Sequence, residues 1–250
     1  MNLRVGIAGV GVMGMTHYLA YQGIRGVDVV ALSSRNRRRL EGDWRGIRGN
    51  FGPAGKRMDL KGVRKYPHLD DLLADDQIDL IDITLPPALH AEAAIRAFEH
   101  SKHVLCEKPL ALTAAECRRI VRAASKARRH LYVGHVLPYF SEYAWALKAV
   151  RSGRHGKLLG GSFKREIESP KWVKNFWQAD EVGGPMLDLN IHDAHFIRLL
   201  FGMPQAVVSC GTMYRGLPRH WHSLFRFADH GFAVHASGGV VDRQGHSFCH

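Results

Sequence analysis

Two stretches of the chain hold side chains whose types and spacing can do acid–base chemistry. In GGPMLDLNIHDAHF, Gly183 to Phe196, Asp188 stands four residues before His192 and His195 three after it. On a helix the three share one face. A carboxylate beside an imidazole orients its tautomer and raises its basicity, which is what a general base requires. The same spacing is a workable metal set, but neither an HExxH pattern nor a cysteine ligand accompanies it, so no metal is expected. An ordinary exposed polar helix face is the plainer alternative. The second stretch is Glu107-Lys108-Pro109, directly behind the apolar run His103 to Cys106. Ligands of open parallel sheets bind beyond the carboxyl ends of the strands, which would bring the Lys108 ammonium into such a crevice. Taken alone, a lysine at a strand end is a solvated charge.

A third stretch binds rather than reacts. RVGIAGVGVMGMTHYLA, Arg4 to Ala20, is an apolar run followed by Gly9, Gly11 and Gly14 and then a helical pattern. The first glycine permits the bend, the second lets a pyrophosphate approach the backbone, and the third lets helix and strand pack closely. The first turn of the helix, with Val12 and Met13, then offers free N–H groups to phosphate. A glycine-rich bend without a ligand is the alternative. Val27 to Ser33 reads as the second strand, whose end in dinucleotide folds faces the adenosine ribose. An acid there would bind the 2′-hydroxyl of NAD; this chain instead has Ser34, Arg35, Asn36 and Arg37. Those donors suit a 2′-phosphate, so the expected cofactor is NADP(H), with NAD possible; the arginines alternatively coat the next helix.

The elements that must position these groups follow from periodicity. After a glycine- and arginine-rich stretch, Gly42 to Gly62, expected as a surface loop with a lid, subunit-contact or disordered character, come a short helix Leu69 to Ala74 and a buried strand Ile78 to Thr84. Pro86 and Pro87 start a helix running to about His100, and the strand His103 to Cys106 follows. Thr113 and Glu116 form a capping box before a helix to about Arg129. Leu131 to Val136 is a further strand. This alternation means a parallel sheet covered on both faces. From Pro138 the pattern changes to a helix Tyr139 to Arg151, a strand Leu158 to Ile167, a helix Met186 to Phe201, and strands Ala206 to Tyr214, Trp221 to Phe227 and Phe232 to Ser237, with a turn at Asp229-His230-Gly231. The expected class is therefore α/β: a Rossmann dinucleotide-binding domain over residues 1–130, then an α+β domain over 131–250 with a mostly antiparallel open sheet.

A chain of 250 residues with 46% hydrophobic and 23% charged residues can bury a full core. No run approaches the ~20 apolar residues of a membrane helix, and the four cysteines form no CxxC pair, so a cytoplasmic protein is expected. The net charge of +12 is spread along the chain rather than gathered beside aromatics, which argues against nucleic acid.

The run IDLIDITLPPALHAEAAIRAFEHSKHVLCEKPLALT, the early GVGVMG and the late GGPMLDLNIHD together resemble the Gfo/Idh/MocA oxidoreductases, over about Arg4 to Gly202. The resemblance implies that Lys108 contacts nicotinamide and substrate, that Asp188 and His192 form the acid/base pair, and that Thr84, Pro86, His90 and Glu107 line the cofactor site. It implies hydride transfer on a secondary alcohol or ketone of a carbohydrate-like small molecule, in a homo-oligomer formed through the C-terminal sheet. Family members often carry an aspartate where this chain has His195. Their second domain continues through more strands and a terminal helix, so residues 131–250 are expected to be an incomplete form of it. Trp172, Phe176 and Trp177 are candidates for a sugar platform or for packing. A dinucleotide-binding sensor without turnover is the alternative function.

Overall fold

The computed structural model describes residues 2–49, 52–170, 173, 175–228, 231, 233–241 and 248–249. The chain divides into two compact units, Met1–Gly134 and His135–His250. In the first, β1 (Leu3–Ala8), α1 (Val12–Tyr21), β2 (Val27–Ser33), α2 (Arg37–Leu40), β3 (Arg64–Tyr66), α3 (Leu69–Leu73), β4 (Leu80–Ile83), α4 (His90–Glu99), β5 (His103–Cys106), α5 (Ala114–Ala127) and β6 (Leu131–Val133) follow in turn. The sheet order is β3-β2-β1-β4-β5-β6, with every pairing parallel. The order reverses between β1 and β4, and that switch point is where a doubly wound sheet opens a crevice for ligands.

The strands read as near-continuous apolar runs because both faces are covered: Val5 to Ala8 and all of β4 are buried. One face packs Ile81, Ile83 and Val104 against Ala94, Phe98 and Ile120 of α4 and α5. Helix α5 starts at the expected capping box, Thr113 accepting from the Glu116 amide and Glu116 from that of Thr113.

The other face corrects an expectation. The stretch Gly42 to Gly62 is not simply a surface loop, since it lays Trp44, Ile47 and Leu60 into the core beside Tyr18 and Leu32. Trp44 is fully buried, meets Tyr18 edge-on at 5.1 Å and donates its indole N–H to the Arg39 carbonyl at 2.8 Å. A lone tryptophan among glycines and arginines carries no periodicity, and its large apolar area wins over the loop-like composition around it. Asn50 and Phe51 lie outside the described residues.

The second unit holds α6 (Ser141–Arg151), β7 (Gly161–Glu168), α7 (Ala179–Val182), α8 (Gly184–Phe201), β8 (Ala206–Tyr214), β9 (Leu217–Arg226), β10 (Ala233–Val241) and β11 (Phe248–Cys249). Its sheet runs β11-β7-β10-β9-β8. The β7–β10 pairing is parallel and the others antiparallel. Helix α8 covers one face, setting Ile197 and Phe201 on Phe225 and Val234, and Leu189 beside Trp221 and Val240. The expected turn at Asp229 and His230 lies outside the described residues. Among the described residues no helix is long and apolar enough to cross a membrane.

Candidate active site

In the first unit the glycine turn sits at the end of β1. Gly9 has φ +102° and gives its N–H to Ser33 at 2.9 Å. A Cβ on Gly14 would stand 2.1 Å from the Gly9 carbonyl oxygen, so only glycine lets α1 come this close. A Cβ on Gly11, by contrast, would meet nothing within 4 Å: this glycine faces open space. The first turn of α1, with Val12 and Met13, carries no acid, leaving its positive end uncompensated. Two side chains brace the turn. Thr84 donates its hydroxyl to the Gly9 carbonyl at 2.7 Å, and Arg39 donates to that of Val10 at 2.7 Å. Arg39 was not among the expected site residues.

At the end of β2 the Ser34 amide bonds to Tyr66, and the Ser34 hydroxyl accepts from the Asn36 amide. Ser34, Arg35, Arg37 and Lys65 wall a groove of about 400 Å³; Glu41 also lines it and is held by Arg37 at 3.3 Å. Lys65 comes from β3, a three-residue strand too short for its alternation to be read.

Pro86 leads into a single turn, Pro87–Leu89, before α4. His90 is buried, with Nδ1 against the Pro109 carbonyl and Nε2 against that of Leu85, both at 2.8 Å. Burial pushes its proton affinity down against the pull of the two carbonyls, and the ring sits between the two loops that carry them. Glu107 is buried too; its Oε2 accepts the Lys108 amide at 3.0 Å, which fixes the backbone of Lys108 just past β5.

The partner of Glu107 is a residue that sequence reasoning missed. His17, on α1, donates from Nε2 to Glu107 at 3.0 Å and from Nδ1 to Asp82 at 2.9 Å. Asp82 is fully buried in the middle of β4. Burial opposes charge on the ring, but the bonds to Asp82 and Glu107 outweigh it and push the His17 imidazole up to about 10. One signal was legible: a carboxylate in the apolar strand LIDI requires a buried partner.

In the second unit α8 opens on Gly183 and Gly184, both with positive φ. Asp188, His192 and His195 are half-buried along the helix, and His195 stacks on His135 at 4.1 Å. Burial and Arg198 lower the proton affinity of His195. Beside them lies a second pair missed from the sequence: Arg165 of β7 forks onto Asp193 at 2.9 and 2.8 Å, with both side chains almost wholly buried. Of the two readings of the aromatics, packing is the one that Phe176 and Trp177 show. Phe176 is a core residue, only 3% exposed, packed with Leu189 and Trp221; Trp177 sits edge-on to it and to Tyr214, and Trp172 lies outside the described residues. Lys108 belongs to the first unit and His192 to the second. Among the described residues no group of three or more His, Cys, Asp or Glu is arranged to hold a metal.

Comparison with known proteins agrees with this construction. Residues 3–135 match the family described as "Oxidoreductase family, NAD-binding Rossmann fold", and residues 143–248 match the "GFO/IDH/MocA C-terminal domain". The chain is 28% identical to a 1,5-anhydro-D-fructose reductase from Ensifer adhaerens over 69% of its own length and 59% of that protein's. It is likewise 28% identical to an inositol 2-dehydrogenase from Salmonella typhimurium, over 69% of its own length and 51% of that protein's. It thus spans about half the length of the curated relatives it matches. In fold it is similar to myo-inositol 2-dehydrogenase from Lactobacillus plantarum, with a TM-score of 0.82 at 23% identity, covering 99% of this chain and 73% of that one.

Proposed function

Because the chain belongs to the Gfo/Idh/MocA oxidoreductases, we propose that it is an NAD(P)-dependent dehydrogenase or reductase acting on a secondary alcohol or ketone of a sugar, polyol or related compound. The observation that carries this reading is the braced glycine turn, with Gly11 facing open space beside an acid-free helix N-terminus. Those features fit a dinucleotide pyrophosphate, which Gly9, Gly11, Val12, Met13 and Gly14 would hold, with Thr84 and Pro86 beside it. The groove of Ser34, Arg35, Arg37 and Lys65 supports NADP(H) over NAD, because guanidinium and ammonium groups there match a 2′-phosphate.

When bound, the nicotinamide supplies the hydride acceptor or donor. The protein's part is proton handling and charge. In the oxidative direction His192 takes the proton of the substrate hydroxyl, Asp188 orients His192, and Lys108 stabilises the negative charge that builds on the oxygen. The compounds named in the relatives' activities, an anhydro sugar and inositol, support a hydroxylated ring compound. The exposed cross-strand pair Val208 and Leu224 on the open sheet face supports a homo-oligomer joined there. A cytoplasmic protein working on small molecules, and not on nucleic acid, goes with this reading.

The test is fluorescence titration with NADPH and NADH, then turnover across a panel of sugars and polyols. Lys108→Met and His192→Ala should each lower kcat by about 100-fold or more, and Arg35→Ala should shift preference toward NAD. Full turnover in both of the first two variants would refute the assignment.

A further inference from the structure

The mechanism leaves unused a charged network in the first unit: a histidine between two buried acids, on three separate elements. His17 lies on α1 one turn beyond Gly14. Asp82 is in the middle of β4, and Glu107 directly follows β5. The ring spans them with both nitrogens, at 2.9 Å from Asp82 and 3.0 Å from Glu107. Glu107 is in turn fixed on every side. Its amide bonds to Ile83, its second carboxylate oxygen takes the Lys108 amide, and Gly134 leaves it space, since a Cβ there would stand 3.0 Å from Oε1.

Charge balance alone explains less than this. Two buried acids need a cation, but nothing obliges that cation to come from the helix that carries the glycine turn. Nor does it oblige the acid's other oxygen to hold the amide of Lys108. Helix α1 carries both Gly14 and His17, and contacts run from His17 through Glu107 to the Lys108 amide, linking that helix to the lysine.

We propose that His17 is a positioning residue for Lys108, acting through Glu107 to fix the lysine's backbone relative to the helix that cradles the cofactor. The inference rests on the reading of Lys108 given above. Its raised proton affinity keeps the ring doubly protonated, so that both bonds are made at once, which a glutamine cannot reproduce.

The experiment compares wild type, His17→Gln, Glu107→Gln and the double variant by amide exchange in ¹H–¹⁵N spectra, NADPH titration and turnover. The Lys108 amide should be protected in wild type and exchange about tenfold faster or more in His17→Gln. The kcat should fall about 10- to 100-fold while NADPH affinity stays within about threefold, because the fault is in placement near the reacting atoms. Because both residues act along one path, the double variant should be no worse than the poorer single variant. If His17→Gln does not fold, His17→Gln/Asp82→Asn removes one of the facing anions and carries the same expectation. Unchanged protection of Lys108 in a folded variant, or lost NADPH affinity with kcat intact, overturns the proposal. Lys108→Met separates the two readings: full turnover in it, with the amide of Lys108 still loosened by His17→Gln, refutes the role of Lys108 in hydride transfer and leaves the positioning intact.

Discussion

Folding of the first unit should weaken as pH rises from about 6.5 to 10, through one proton on His17. In the unfolded chain the ring releases its proton near 6.5; in the folded chain Asp82 and Glu107 hold it to about 10. Between those values the folded state binds one more proton, so each pH unit upward costs about 1.4 kcal/mol from this group. The contribution is whole below 6.5 and lost above 10. Linkage gives about 4 kcal/mol at pH 6.5 and about 1 at pH 9.5, in the range of breaking a buried ion pair. His17→Gln alone is a poor control, since it leaves both buried acids without their cation. His17→Gln/Asp82→Asn removes both the ring and one acid. Urea unfolding followed by circular dichroism at the two pH values should show the stability difference between wild type and this variant narrowing by about 3 kcal/mol. A difference that stays constant would refute the charged clamp.

Two other outcomes follow from close packing and buried charge. Gly14→Ala drives a Cβ against the Gly9 carbonyl, so backbone must move; a loss of about 1–3 kcal/mol in urea unfolding and a marked drop in NADPH affinity by fluorescence titration are expected. Arg165→Met strands the buried Asp193 carboxylate and should cost about 3–5 kcal/mol in the same unfolding assay, whereas Arg165→Met/Asp193→Leu should recover most of it.

Much of the first unit was legible because its signals are local. Glycine spacing, the LIDI run, the Thr113–Glu116 box and the proline start of α4 each act within a few residues, and β2 and β5 form over the expected residues. What could not be read depends on partners far apart in the chain. Asp82 and Glu107 are 65 and 90 residues from His17, and Arg165 is 28 from Asp193. No periodicity encodes such a pairing; each surfaces only as a charge in an apolar context. Trp44 shows the converse, where one side chain turns a loop-like composition into packed core. For the candidate site, the glycine turn and the Asp188–His192 spacing were visible, while the bracing by Thr84 and Arg39 was not, because a hydrogen bond to a carbonyl leaves no pattern in sequence.

The two buried charge networks solve one physical problem in different units. On α8 the buried positions include Leu189, Asp193, Phe196, Ile197 and Phe201, a stripe in which Asp193 takes a place that leucine would fill at lower desolvation cost. Apolar packing is non-directional, so shape complementarity alone orients the apolar positions of this stripe. A guanidinium fork on a carboxylate has one good orientation. Arg165, fixed in the middle of β7, therefore pins the rotation of α8 at the residue next to His192, and so sets the direction of the face that bears Asp188, His192 and His195. His17 does for the loop after β5 what Arg165 does for α8. In each case a charge is retained in the interior at a site where direction matters more than stability, one residue from the side chain to which the chemistry is ascribed.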